Sequence, residues 1–284
     1  MVYLLAIGSA ILYGAADFTG GLTTRRVGTI PVVLISQASG LLLLALMLPF
    51  LPDATPSQAD LLWGVAAALT GGIGVALLYR ALAIGVMAVV APTTAVCAVD
   101  IPVVVSVMLG ERPGLLIVAG IALGLASIVL VSQQKPEHPG LPSAPTHRSG
   151  VGLALASGVL IGFFFLSLAQ TRPEAGMWPL LVARGASVIL FAAIAVGGRQ
   201  SIRMPGPMAL LAIACGIIDM LANALYLLAA RQGPLSVVVT LSSLYPASTV
   251  LLARVVLGER LNLLQVSGVG CAMAAVVLIL SAGS

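Results

Sequence analysis

Apolar stretches of about twenty residues follow one another along nearly the whole chain, and a helix of that length spans the hydrocarbon core of a bilayer. Only 8% of the 284 residues are charged, whereas a soluble domain carries about 25% charged residues. This leaves too little polar surface to cover a globule in water, so the sequence predicts an all-α polytopic membrane protein. The ten predicted transmembrane helices are residues 2–21, 30–51, 59–82, 86–109, 113–133, 150–169, 177–197, 207–230, 234–257 and 261–282.

The most polar stretch lies between the fifth and sixth predicted helices. It reads QQKPEHPGLPSAPTHRSG, at residues 133–150, and holds four prolines and both histidines of the chain. Segments of such composition bury too little apolar surface to fold by themselves. The sequence therefore predicts a first five-helix repeat at residues 1–133, a polar linker at 134–149 and a second five-helix repeat at 150–284.

The two halves carry the same pattern at a constant offset of 148 residues. The letters LGER occur at residues 109–112 and again at 257–260. Because each half has an odd number of helices, the second half enters the membrane in the opposite orientation. Inverted-topology repeats are typical of secondary transporters, whose substrate site lies near the midplane between the repeats. Other identical pairs at this offset are Ser9 and Ser157, Gly14 and Gly162, Ser39 and Ser187, and Gly85 and Gly233.

Each LGER is predicted to fall between the fourth and fifth helices of its half. Gly110 and Gly258 are expected to end a helix. Glu111 and Glu259 then lie near the start of the next helix, where the positive end of the helix dipole favours a carboxylate. This predicts a structural role for both glutamates, with direct contact to a substrate as the alternative.

Ionisable residues inside the hydrocarbon are costly and indicate function by default. Three acids, Asp17, Asp100 and Asp219, lie inside the predicted helices 1, 4 and 8. Asp219 is predicted to hold a substrate ammonium group or to carry a proton, whereas Asp17 lies close to a predicted helix end, where contact with water is expected. The alternative is that the acids form structural pairs with one another or with Arg80 and Arg184.

Each of these acids belongs to a polar stripe at helical spacing. Nearby tyrosines combine an apolar ring with a hydroxyl that needs a partner when it is buried. Phenylalanines of the sixth helix add apolar surface, for which core or lipid packing is the alternative. The candidate substrate-binding residues are Tyr13, Asp17, Tyr79, Thr93, Asp100, Phe164, Asp219, Asn223, Tyr226 and Tyr245.

No catalytic residue, cofactor or metal site is predicted. The three cysteines lack CxxC spacing, and HExxH, GxSxG and Walker A sequences do not occur. An enzyme embedded in the membrane and ATP-driven transport are therefore both disfavoured. The basic residues, which give a net charge of +4, are scattered between apolar segments. They indicate membrane boundaries rather than a nucleic-acid partner.

Two repeats of five helices, each closing with LGE before a G-x-x-L-I-like helix, resemble the EamA-type branch of the drug/metabolite transporter superfamily. AIGVMAVVAP at residues 83–92 and RQGPLSVVVTLSSLYP at 231–246 also resemble that family. YddG-like amino-acid exporters are the most similar in length and layout. The resemblance implies ten helices, of which helices 1, 3, 4, 6, 8 and 9 surround a central cavity. The family often has Arg early in the second helix of each repeat; Arg184 matches, but Ser36 stands at the corresponding position of the first repeat.

The resemblance also implies export of amino acids or similar small metabolites, by a monomer in the bacterial cytoplasmic (inner) membrane, with protons as a candidate coupling ion. Drugs, nucleosides or sugars are the alternative substrates. The orientation stays open. The positive-inside rule places both termini outside, whereas the resemblance places both in the cytoplasm.

Overall fold

The computed structural model describes residues 2–108, 115–132, 146–232, 242, 244–258 and 263–282. These residues form ten α-helices and no strand, so the predicted all-α class is confirmed for this part of the chain. The helices are α1 (Val2–Val27), α2 (Thr29–Met47), α3 (Gln58–Ile84), α4 (Met87–Met108), α5 (Leu115–Ser132), α6 (Thr146–Ala169), α7 (Trp178–Gly197), α8 (Gly206–Gln232), α9 (Tyr245–Leu257) and α10 (Leu263–Ala282).

Six of the described helices, namely α1, α2, α3, α6, α7 and α8, are long and apolar enough to cross a membrane. Shorter apolar stretches lie in α4, α9 and α10. This is the pattern expected of a chain that crosses the bilayer several times.

The first helix is longer than the sequence predicted. The pair Arg25–Arg26 was expected in the break after residue 21, but α1 continues to Val27 and ends only at Gly28, whose φ of 92° favours glycine. Hydrogen bonds from Arg25 to the end of α3 stabilise this extension. Its guanidinium donates hydrogen bonds to the carbonyl oxygens of Leu82 (3.1 Å) and Gly85 (3.2 Å) at the end of α3.

The sixth helix also begins earlier than predicted. It starts at Thr146, so residues 146–149 of the expected linker are helical. The remainder of that linker lies outside the described residues, as do Gly110, Glu111 and Glu259 of the two LGER motifs. Gly258 is described, and it ends α9 in the left-handed conformation with φ 67° and ψ 21°, which confirms its predicted role.

The second repeat runs opposite to the first, as the odd number of helices predicts. The ends of α1 and α3 meet at one face through the hydrogen bonds of Arg25. Gly150, near the start of α6, lies against Gly85 at this same face. Since α6 begins beside the end of α1, the two corresponding helices run in opposite directions.

At the opposite face, one carboxylate ties the α2–α3 connection to the α6–α7 connection. Asp60, in the first turn of α3, accepts hydrogen bonds from the backbone N–H of Arg172 (2.9 Å) and from its guanidinium Nη2 (2.9 Å). Ser57 forms a capping box with Asp60 at the start of α3. The backbone N–H of Thr55 donates to the carbonyl of Glu174 at 2.9 Å. We call the contacts of Ser57, Asp60 and Arg172 the Asp60–Arg172 clasp.

Helices related by the 148-residue offset make equivalent contacts. Helix α1 packs along α8, and its counterpart α6 packs along α3; likewise α2 packs on α8, and α7 packs on α3. Ser39 in α2 donates a hydrogen bond to the carbonyl of Ile213 (3.2 Å), and its counterpart Ser187 in α7 donates to the carbonyl of Ala68 (3.1 Å). The repeated sequence pattern therefore corresponds to a repeated contact between helices.

Repeated glycines allow the closest helix contacts. A Cβ at Gly14 would lie 2.5 Å from the Cβ of Ser248 in α9, and a Cβ at its counterpart Gly162 would lie 2.6 Å from the Cβ of Ile101 in α4. Small residues let membrane helices approach in this way. As a result, α1 lies directly against α9 and α6 directly against α4, and Ser9 and Asp17 of α1 are buried in the interior.

Candidate functional site

A buried ion pair joins α7 to α8 in the interior of the molecule. The Arg184 guanidinium donates through Nη2 to the Asp219 carboxylate and through Nη1 to the side-chain carbonyl of Gln37 in α2. Arg184 is only 8% exposed. The sequence offered Arg80 and Arg184 as structural partners for the acids. The structure pairs Arg184 with Asp219, and Arg80 is exposed.

Asn223 holds Asp219 in place from the next turn of α8. Its Nδ2 donates to the Asp219 backbone carbonyl at 2.8 Å and lies 3.4 Å from the carboxylate Oδ2. Asp219 and Asn223, which the sequence placed on one face of this helix, are thus joined by hydrogen bonds. The Asp219 carboxylate is already paired with Arg184. The sequence analysis gave such a structural pair as the alternative to a substrate-binding role.

Asp17 lies well inside α1 and is 8% exposed. The prediction that it lies close to a helix end is wrong, because α1 continues to Val27. Among the described residues, no hydrogen-bond donor or cation reaches its carboxylate. The charged group that acts on it is Asp219, a like charge. Asp17 is therefore a buried acid without a partner.

The Tyr13 hydroxyl is enclosed one helical turn from Asp17. It has no hydrogen-bond partner in the described part of the chain. Arg184, Asp219, Asp17 and Tyr226 all lie within electrostatic range of it. Its ring meets that of Tyr245 in α9 edge-on, with centroids 6.3 Å apart and an interplanar angle of 65°. The structure therefore brings four predicted site residues, Tyr13, Asp17, Asp219 and Tyr226, into one neighbourhood; we call Tyr13, Asp17, Gln37, Arg184, Asp219 and Asn223 the central polar cluster.

Aromatic rings border the central polar cluster. Tyr226 in α8 lies against Phe165 of α6 (centroids 6.1 Å apart), and Tyr245 covers Tyr13. Phe164, the predicted candidate, packs instead on α3, where a Cβ at Gly71 would lie 2.6 Å from its ring. The ring nearest to Tyr226 is thus that of Phe165, one residue further on.

Tyr79 is packed and hydrogen-bonded within the protein. Its hydroxyl lies 3.1 Å from the Cys215 thiol, which itself lies 3.3 Å from the Ala16 carbonyl. The ring covers Gly20, where a Cβ would come within 2.4 Å of it. Tyr79 therefore joins α1, α3 and α8 beside the central polar cluster.

Thr93 and Asp100 belong to a different neighbourhood, in α4. The Thr93 hydroxyl donates to the Val89 carbonyl of its own helix at 2.9 Å. Asp100 faces α5, since a Cβ at Gly124 would lie 3.7 Å from its Oδ2. The Asp100 Oδ1 atom is enclosed and has no partner among the described residues. The structure does not join these two residues to Arg184 and Asp219.

Two members of the central polar cluster, Gln37 and Arg184, were absent from the predicted site. Gln37 is the only residue with a long polar side chain in the apolar run VVLISQASGLLLL, residues 32–44. It also follows Ser36, the residue that corresponds to Arg184 in the first repeat. Gln37 could have been identified from two signals in the sequence. Its amide interrupts an apolar run, and it lies next to the position that corresponds to Arg184.

The arrangement suits non-covalent binding of a small polar solute. It combines a buried cation, one buried and one partly buried carboxylate, a hydroxyl without a partner among the described residues, and several aromatic rings. The described residues contain no group of three or more His, Cys, Asp or Glu side chains that could hold a metal ion.

Comparison with known proteins supports the repeat seen in the structure. The sequence profile of the EamA-like transporter family matches residues 1–133 and again residues 148–281. A solved structure, described as "Crystal structure of protein", is similar over 100% of this chain and 96% of its own, with a TM-score of 0.62 and 18% sequence identity, which shows a shared fold. No curated protein matches the sequence significantly. Because the family profile covers nearly the whole chain in two copies, the chain belongs to the EamA-like transporter family and is a multi-pass membrane transporter.

Proposed function

We propose that this transporter exports amino acids or related small metabolites across the bacterial cytoplasmic membrane by alternating access, as a monomer. The two repeats, residues 1–133 and 150–284, are the two halves of the transport pathway, and residues 134–149 link them. The observation that carries the proposal is the central polar cluster. Its side chains come from α1 and α2 of the first repeat and from α7 and α8 of the second.

A solute site between the repeats accounts for features that packing alone does not. Ionisable groups inside a membrane are costly and persist where they bind or conduct a polar species. The Tyr13 hydroxyl has no partner in the described structure, and an enclosed hydroxyl without a partner costs about 1–3 kcal/mol. A solute with an amino group and an apolar body would supply partners for the carboxylates and contact the rings.

The test is efflux from proteoliposomes that contain the purified protein and one labelled solute each. Amino acids and related amines should leave faster than from protein-free vesicles, and nucleosides and sugars should not. If only nucleosides, sugars or drugs leave the vesicles, the protein is a transporter but the proposed substrate class is wrong.

Tyr13→Phe tests the site itself, because it keeps the ring and removes only the hydroxyl. That hydroxyl has no protein partner, so the thermal stability of the variant should equal or exceed that of the parent, while efflux should fall several-fold. Tyr3→Phe is the matched control, since Tyr3 is 62% exposed and lies on the same helix. Unchanged efflux by a folded Tyr13→Phe protein would remove Tyr13 from the site.

A further inference from the structure

The Arg184–Asp219 ion pair leaves part of each charged group unused. Among the described residues, Arg184 donates one N–H group to Asp219 and one to Gln37, and a guanidinium carries further N–H donors. The hydrogen bonds that the Asp219 carboxylate accepts from Arg184 and Asn223 both reach the same oxygen, Oδ2. A buried ion pair is stable only when its remaining donors and acceptors are also satisfied. Both partners therefore retain the capacity to bind a further polar group.

Both partners can also be reached by a small solute. The Arg184 side chain is 10% exposed and that of Asp219 is 16% exposed, so the described residues do not seal either charge. The Tyr13 hydroxyl lies within electrostatic range of both and has no described hydrogen-bond partner. A phenol O–H can donate to a carboxylate. A third polar group that lacks a partner therefore lies beside the pair.

We propose that the Arg184–Asp219 pair binds the α-amino-carboxylate group of a zwitterionic amino acid, with Arg184 on the substrate carboxylate and Asp219 on the substrate ammonium group. This inference rests on the proposed transport function and names the chemical group that the transporter recognises. Arg184 lies in α7 and Asp219 in α8, while Gln37 of α2 holds the guanidinium from the first repeat. The Tyr13 hydroxyl donates a further hydrogen bond to the substrate carboxylate.

The charges of such a solute complement those of the pair. In an α-amino acid the ammonium group and the carboxylate are attached to the same carbon, and in the protein the guanidinium and the Asp219 carboxylate are in direct contact. When the two pairs lie antiparallel, each charge gains a second neighbour of opposite sign. The solute adds no net charge to an apolar interior. Asp17 does not alter this count when it carries a proton, the form in which an unpaired buried carboxyl group costs least.

The same arrangement disfavours solutes that carry only one of the two charges. An amine without a carboxylate, or a carboxylate without an ammonium group, would bring one uncompensated charge to a pair that is already neutral, which is costly away from water. The apolar part of the solute would contact the rings that border the central polar cluster, those of Tyr245 and Phe165 among them. The expected substrates are therefore zwitterionic amino acids with apolar side chains.

Three probes with the same phenyl ring separate the two charges. Phenylalanine carries both, phenethylamine lacks the carboxylate and hydrocinnamate lacks the ammonium group. Isothermal titration calorimetry with the purified parent protein should show phenylalanine binding at least about tenfold more tightly than either of the other two. If the efflux experiment favours leucine, the matched probes are leucine, isoamylamine and isocaproate.

Single variants of the pair should reverse this order. Asp219→Asn leaves Arg184 without a counter-charge, which hydrocinnamate supplies, so this variant should bind hydrocinnamate more tightly than phenylalanine. Arg184→Gln leaves Asp219 unpaired and should bind phenethylamine more tightly than phenylalanine. In each variant the preferred probe should also raise the melting temperature more than phenylalanine does.

Matched controls exist at exposed positions. Asp53→Asn in the α2–α3 connection and Arg254→Gln in the last turn of α9 change the same two kinds of side chain away from the central polar cluster. Both should keep the preference of the parent for phenylalanine. A pair with a structural role alone would lower stability on substitution without changing the order of the three probes.

The outcomes separate this inference from the proposed function. If phenethylamine binds the parent as tightly as phenylalanine does, the pair does not recognise the carboxylate, and amino-acid efflux would leave the proposed function intact. Folded Asp219→Asn and Arg184→Gln proteins that keep the parent's order of probes would likewise overturn the inference. If the variants do not fold, the order measured with the parent decides the question. If no amino acid binds and none leaves the proteoliposomes, the proposed function fails together with the inference.

Discussion

At the scale of single residues, the Arg184–Asp219 pair fixes the shape of the central polar cluster. A buried ion pair contributes little net stability, but removing one partner leaves an unpaired buried charge and costs about 3–5 kcal/mol. Gln37 and Asn223 bind one partner each, so both charged groups keep their orientation when the pair is intact. The pair therefore positions Tyr13 and Asp17 beside a neutral neighbour.

We expect Arg184→Gln and Asp219→Asn each to lower the unfolding free energy by about 3–5 kcal/mol, and the double variant to lose less than the sum. Thermal unfolding of the four proteins in one detergent measures this coupling. Arg254→Gln, at an exposed position in the last turn of α9, is the control and should change stability little. Additive losses would show that the two side chains do not stabilise each other.

At the scale of elements, glycines set the distances between helices. A Cβ at Gly216 in α8 would lie 2.0 Å from the Ser36 carbonyl oxygen and 2.2 Å from the Ser39 hydroxyl in α2. A Cβ at Gly185, inside α7, would meet no atom within 4 Å. The same substitution should therefore have opposite effects in the two helices.

Gly216→Ala should destabilise the protein by about 1–3 kcal/mol, because α2 and α8 must separate. Gly185→Ala should stabilise it by up to about 1 kcal/mol, because alanine favours the helix. The melting temperatures of the purified variants measure both effects. Equal shifts would mean that α2 does not approach α8 as closely as described.

Sequence patterns predicted the elements well and their ends less well. Long apolar runs were enough to find the helices, because length and hydropathy decide what crosses a bilayer. The end of α1 was missed because Arg25 is polar in sequence, yet its partners are the carbonyl groups of Leu82 and Gly85, far along the chain. The same error made Asp17 look exposed.

The site was predicted in part, for a similar reason. Periodicity places Tyr13 with Asp17 and Asp219 with Asn223, since both pairs lie one turn apart on a helix. It does not show which helix faces which. The partnership of Arg184 with Asp219, and hence the isolation of Asp17, depends on the packing of α7, α8 and α1 and could not be derived from spacing.

At the scale of the whole molecule, the inverted repeats place the helix connections on two opposite faces. Arg26 lies in the last turn of α1 and Ser201 follows α7, so both belong to one face; Asp53 and Glu174 follow α2 and α6 and belong to the other. All four are exposed. This arrangement holds whichever face is cytoplasmic.

We expect cysteines at these four positions to react in two pairs with an impermeant thiol reagent applied to intact cells. The background variant has alanine in place of Cys97, Cys215 and Cys271. Arg26→Cys and Ser201→Cys should either both react or both be protected. Asp53→Cys and Glu174→Cys should show the opposite result. Labelling of Asp53→Cys and Glu174→Cys from outside would place both termini outside. Labelling of Arg26→Cys and Ser201→Cys from outside would place both termini in the cytoplasm. Labelling of Arg26→Cys and Glu174→Cys from the same side would contradict the inverted fold.

The Asp60–Arg172 clasp exists at one face only. At the 148-residue offset, Asp60 corresponds to Met208 and Arg172 to Thr24, neither of which can form an ion pair. Two halves of equal sequence would interconvert between two states of equal free energy, related by the two-fold axis between the repeats. Under the alternating access proposed above, the clasp stabilises the state in which the α2–α3 and α6–α7 connections are in contact. That state is then favoured in the empty transporter by an ion pair that has no counterpart at the 148-residue offset.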